Sequence, residues 1–152
     1  MTRTLGLTLA LALVAPAAFA RSQTITRADA LGGRIGSAET FTGTAHIAPV
    51  FPPEMADVSA GEVTFLPGAR SAWHTHPAGQ MLVVTDGVGW TQERDGEKTV
   101  MRAGDVVWCP PDVEHWHGAT DTTAVTHYAI QKAVDGEAVL WGQHVTDEEY
   151  LD

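Results

Sequence analysis

The stretch GARSAWHTHPAGQMLVVTDG, residues 68–87, decides how the rest of the chain is read. Its apolar runs are short, its breaks are Gly and Pro, and two histidines stand two positions apart. Side chains alternate across an extended strand, so His74 and His76 point to one side while Thr75 faces the other. Two imidazoles then lie within reach of one ion. Gln80 follows four residues later, and His115 stands downstream in a Pro-flanked loop as a candidate to complete the set.

Working outward from this stretch, the chain from Thr40 is all-β in texture. FTGTAHIAPV, VSAGEVTFLPG, VGWTQER, KTVMRAGD, VVWCPP and TAVTHYAIQ are Val-, Thr- and aromatic-rich runs separated by Gly, Pro and Asp. Such spacing predicts a sandwich or barrel. Asp95-Gly96 reads as a hairpin turn with glycine supplying the positive φ, and Asp86-Gly87 as a similar reversal. Thr146 to Glu149 has the spacing of a capping box and can start a short terminal helix. The expected organisation is a leader over residues 1–20, an arm over 21–39, a barrel over 40–145 and a tail or short helix over 146–152. No chemistry is visible in the arm.

The leader reading rests on Arg3, the apolar run Leu5 to Val14 and the small-x-small ending Ala18-Phe19-Ala20, which together suit a secretory signal peptide and a periplasmic destination. Arg3 is the only charged residue in it, so the remaining chain has 8 basic and 19 acidic residues and a formal charge of −11. That excess argues against nucleic acid or an anionic membrane surface as partner, since both select basic patches. A single cysteine, Cys109, excludes an internal disulfide. It has no basic neighbour in sequence and reads as a buried small hydrophobe rather than a reactive thiol.

Gly68, His74-x-His76, Gln80 and Gly87 resemble the first sequence motif of the cupins, with Gln where most cupins have Glu. Gly104, Pro110 and His115 resemble the second, with Asp112 in place of its Gly and Ala119 in place of its terminal Asn. The intervening Val88 to Ala103 is similar to the spacer of small bacterial single-domain cupins. More narrowly, ARSAWHTHPAGQ, GDVVWCPPDVEHWHGA, AVTHYAIQ and WGQHVTDEEY resemble the manganese-dependent cupin hydroxynitrile lyases of the (R)-mandelonitrile lyase type, over nearly all of Phe41 to Tyr150. The resemblance implies an all-β jelly-roll barrel and His74, His76, Gln80 and His115 as ligands of a divalent metal. It also implies that His127 and Gln131 lie inside the barrel beside that metal. Mn enters through the resemblance alone, because imidazole and amide ligands suit Mn, Fe, Co, Ni or Zn and affinity favours the later metals.

The chemistry of the residues points the same way. Three neutral imidazoles and a neutral amide cancel none of a divalent charge, whereas Glu at position 80 would cancel one unit, so the ion is expected to be a strong Lewis acid. Val125, His127, Ala129 and Gln131 share one strand face. An inward His127 near a cation would be neutral and able to accept a proton. His117 shares a strand face with His115 and is a candidate to orient a ligand or substrate. The activity that the resemblance implies is cleavage or formation of a cyanohydrin such as mandelonitrile. In it His127 takes the hydroxyl proton, and Gln131 or His117 positions cyanide. The alternatives are a cupin dioxygenase acting on a small organic substrate and a non-catalytic periplasmic binding module. Edge strands in a small barrel further suggest a homo-oligomer, a dimer or tetramer.

Overall fold

The β-branched and aromatic runs do form strands, and the turns between them fall at Gly, Pro and Asp. The computed structural model describes residues 23–52 and 57–152, so the leader lies outside the described residues. Twelve strands follow a short 3-10 turn, Ala28–Ala30. They are β1 (Arg34–Ile35), β2 (Phe41–Thr42), β3 (Ala45–Pro49), β4 (Ser59–Phe65), β5 (Arg70–Ser71) and β6 (His74–Thr75). After these come β7 (Gln80–Glu93), β8 (Thr99–Arg102), β9 (Val106–Cys109), β10 (His115–Ala119), β11 (Val125–Gln131) and β12 (Leu140–Trp141). Among the described residues a single α-helix, α1 (Asp147–Leu151), follows the strands. None of the described helices is long and apolar enough to cross a membrane.

The strands pair antiparallel in the order β1-β3-β4-β11-β7-β10-β5-β2, with β6, β8, β9 and β12 attached to the sides. This sheet curls around a core of Phe65, Leu82, Val84, Met101 and Val125, the all-β architecture expected. Alternation decides what faces in. On β11, Val125, His127 and Ala129 are buried while Thr126, Tyr128 and Ile130 are half-buried, so the face read from the sequence is the inner one.

Two turn expectations are corrected. No reversal occurs at Asp86-Gly87. Instead β7 runs on for 14 residues, pairing with β11 and β9 through its first half and with β10 and β8 through its second. Gly87, at φ 76°, lets the strand bend from one half of the sheet to the other, and a Cβ there would stand 2.1 Å from the Ala124 carbonyl oxygen. At the β7–β8 hairpin the left-handed residue is Asp95, at φ 62°, rather than Gly96. Aspartate tolerates that conformation through its short polar side chain. Asp112 does the same, at φ 62°, where the second sequence motif ordinarily carries Gly.

The tail is bound firmly. Thr146 and Glu149 form the capping box of α1. Tyr150 packs with Trp73, Trp116 and Val145 in a second apolar cluster, and its hydroxyl donates to the Ala119 carbonyl at 3.1 Å. The buried Arg70 guanidinium donates to the Val145 carbonyl at 2.9 Å and to Asp147 at 2.6 Å.

Candidate metal centre

β6 carries His74 and leads directly to His76, β7 begins with Gln80, and β10 contributes His115 and His117. Register explains why they meet: His115 on β10 lies opposite His74 on β6, and Gln131 on β11 lies opposite Gln80 on β7. All four expected ligands are buried. The ring centroids of His74 and His115 are 4.3 Å apart, those of His74 and His76 are 5.1 Å apart, and those of His76 and His115 are 5.6 Å apart.

Each of the three imidazoles places Nδ1 against a backbone carbonyl: His74 on Ala72 at 2.9 Å, His76 on Ala138 at 2.7 Å and His115 on Val113 at 2.9 Å. A carbonyl only accepts, so each Nδ1 carries the proton and donates, which leaves each Nε2 with a bare lone pair. His76 Nε2 is buried without a hydrogen-bond partner among the described residues. His115 Nε2 faces the Gln80 side-chain oxygen at 3.3 Å, an acceptor opposite an acceptor. That oxygen is aimed there because the Gln80 amide nitrogen donates to the Gln131 side-chain oxygen at 3.3 Å, and Gln131 in turn donates to Ser59 Oγ at 3.1 Å. Converging lone pairs with no proton between them are what a cation resolves, so this donor set fits a divalent metal.

Burial, reinforced by His115, holds the His74 imidazole well below its ordinary pKa. Burial likewise lowers His76 and His115. All are therefore neutral at neutral pH, the state in which imidazole ligates.

His117 lies closer to the centre than expected. Nitrogen atoms of His74, His115 and His117 lie within 4.8 Å of one another, so His117 joins the cluster of candidate ligands. His127 is fully buried behind it, with Nε2 3.1 Å from His117 Nδ1. Its other nitrogen has no hydrogen-bond partner among the described residues, and burial pushes its pKa down to about 4. The pair is coupled by one shared proton, since one ring must donate and the other accept.

A cavity of about 270 Å³ opens onto this cluster, lined by His74, His76, Gln80, His117 and Gln131, with Phe41, Val63, Ala129, Val139 and Trp141 as walls. His127 is not on its wall. A larger depression of about 620 Å³ between β7, β8 and β9 touches His115 alone among the site histidines, so the smaller cavity is the one with chemistry in it. Trp141 lies tilted against His74, 4.9 Å between centroids, and edge-on to Phe41 at 5.6 Å. Phe41 and Trp141 reach the site through the pairing of the two-residue strands β2 and β12 with β5 and β6, which no local pattern in sequence shows.

Cys109 is buried, and burial raises its thiol to about 12, as a small apolar residue rather than a nucleophile.

The family described as Cupin domain matches residues 61–130, the span from β4 through β11 that builds this centre. Over 116 residues, 76% of this chain and 88% of the relative, the sequence is 56% identical to (R)-mandelonitrile lyase of Granulicella tundricola. The chain belongs to the cupin family. As a cupin it is also similar to the crystal structure of a cupin-like protein from Thermotoga maritima, at 40% identity and a TM-score of 0.73 over 76% of this chain and 89% of that one. A gentisate 1,2-dioxygenase of Aquipseudomonas alcaligenes is 40% identical over 58 residues, but these cover 38% of this cupin and 17% of the dioxygenase, so that likeness reaches a portion of the barrel only.

Proposed function

We propose that this cupin is a metal-dependent lyase that cleaves or forms cyanohydrins of the mandelonitrile type, with His74, His76, Gln80 and His115 as the ligands of a divalent ion, Mn by resemblance. The observation that carries the reading is the convergence of bare imidazole nitrogens and a neutral amide oxygen at the floor of a small, aromatic-walled cavity. The 56% identical relative, named as a mandelonitrile lyase, supports it. A bound divalent ion supplies Lewis acidity to the substrate oxygen there.

The chain's own residues supply the rest. The His117–His127 pair takes the hydroxyl proton, His117 from the cavity side and His127 as its hydrogen-bonded partner behind. The bond to the nitrile carbon breaks with its electron pair leaving on cyanide, the carbonyl forms, and the pair returns the proton to give hydrogen cyanide. Gln131, on the cavity wall, orients the cyanide with an amide proton left over from its bond to Ser59. Phe41 and Trp141 pack the aryl group and exclude water.

Purified protein beginning at Arg21, loaded with Mn, is expected to release benzaldehyde from mandelonitrile and to lose that activity with a chelator. Metal-loaded protein that releases none retires the reading. Local similarity to the dioxygenase supports a second reading, which predicts oxygen consumption by Fe-loaded protein. Export to the periplasm and assembly into a homo-oligomer belong to the same proposal, to be checked by fractionation and by sedimentation.

A further inference from the structure

The arm ahead of the barrel, silent in sequence, brings a cation to the cavity. β1 pairs with β3, and Arg34 lies directly opposite Ile47. Cross-strand partners share a face, and Ile47 packs against the core, so Arg34 takes the Ile47 side of β1, where it lines the histidine cavity as well as two shallower depressions beside the arm. The ion pairs among the described residues engage Arg70 and Arg94 only, which leaves the Arg34 guanidinium without a carboxylate. In a chain whose formal charge is −10, an arginine left unpaired at the rim of a cavity stands against the prevailing charge. The cavity thus has uncharged nitrogen and oxygen donors at its floor, Ile47, Phe41, Ala129 and Trp141 along its sides, and the exposed Arg34 among its lining residues.

We propose that the cavity selects small molecules with a hydroxyl or carbonyl oxygen at one end, a short apolar or aryl middle and a carboxylate at the other, which Arg34 binds. This rests on the histidine cavity being the substrate site and names the substrate class for it. A guanidinium forms paired hydrogen bonds with a carboxylate, and the open position at the rim limits the gain to that of a partly solvated pair.

The test compares 4-(hydroxymethyl)benzoate with benzyl alcohol by calorimetric titration of the metal-loaded full chain. Both ligands carry the hydroxyl, neither carries a nitrile, and only one carries the carboxylate. The carboxylate ligand is expected to bind about fivefold to tenfold more tightly, with the advantage shrinking as salt rises. Arg34→Met should bring the ratio close to one. Arg102→Met, at an exposed arginine on β8 away from the cavity, should keep it. Because Arg34 is exposed on a two-residue edge strand, the variant is expected to fold, and its circular dichroism checks this. Equal affinities in the unaltered protein, or a preference that survives Arg34→Met, overturn the proposal. Turnover of the cyanohydrins of benzaldehyde and of 4-carboxybenzaldehyde separates the two readings. Binding preference without turnover of either retires the lyase reading alone. Turnover of both with no preference in binding or in KM retires the Arg34 assignment alone.

Discussion

Gln80 is the residue on which the character of the site turns. Its neutral oxygen leaves the charge of a bound ion intact, so Gln80→Glu should hold metal at least as well by elemental analysis yet slow mandelonitrile cleavage by ~10-fold or more. The two inner histidines separate by the same pair of measurements. His127→Ala alters none of His74, His76, Gln80 and His115, and metal content should persist while kcat falls by roughly a hundredfold; loss of metal would make His127, through His117, part of the ion's support instead. His74, His76, Gln80 and His115 were legible because strand alternation and motif spacing constrain them before any fold is known. The partnership of His117 with His127 was not, since it depends on β10 and β11 facing each other across the barrel interior, 4.8 Å between ring centroids. Arg34 was invisible for a related reason: only the pairing of β1 with β3 shows which side of its strand it takes.

At the scale of the element, β7 and the C-terminal strap, the segment 132–152 that follows β11, organise the rest. Gly87→Ala combines a φ of 76° with a Cβ that would meet a backbone oxygen at 2.1 Å, and neither can relax without moving the bend. Urea unfolding should show a loss of about 3 kcal/mol or more. Sequence suggested a turn there because Asp-Gly is a turn signal, and the same backbone freedom serves equally to bend a continuous strand. The strap reaches the candidate metal centre directly: β12 pairs with β6, and the Ala138 carbonyl sets the His76 tautomer. Deleting residues 146–152 removes the anchor formed by Arg70, Asp147 and Tyr150. The shortened protein should bind Mn more weakly in equilibrium dialysis, by ~10-fold or more. Capping-box spacing made α1 legible, but not its use as an anchor for a ligand.

For the molecule as a whole, five buried histidines make stability depend on acid. The unfolded chain protonates its imidazoles near 6.5, whereas burial holds those of the folded chain lower, His127 at about 4. Unfolded chains therefore bind more protons as pH falls, and stability is full above 6.5 and declines through that window. His127 alone contributes a loss of roughly 3 kcal/mol between pH 6.5 and 4. Thermal melts of metal-free protein should drop steadily across that range, and a flat profile would mean that the imidazoles are more solvated than their burial implies. The all-β class, the strand runs and the inner face of β11 were readable from period-two patterning. The order in which strands join the sheet was not, because it depends on contacts between distant residues. The Ala138 carbonyl that orients His76 has a consequence for biogenesis. It lies beyond β11, so a chain emerging from its synthesis machinery has strands β1 through β11 available before one of the candidate ligands is aimed. Cofactor capture would then be reserved for finished molecules, and a prematurely terminated barrel would stay empty in a cell full of metal.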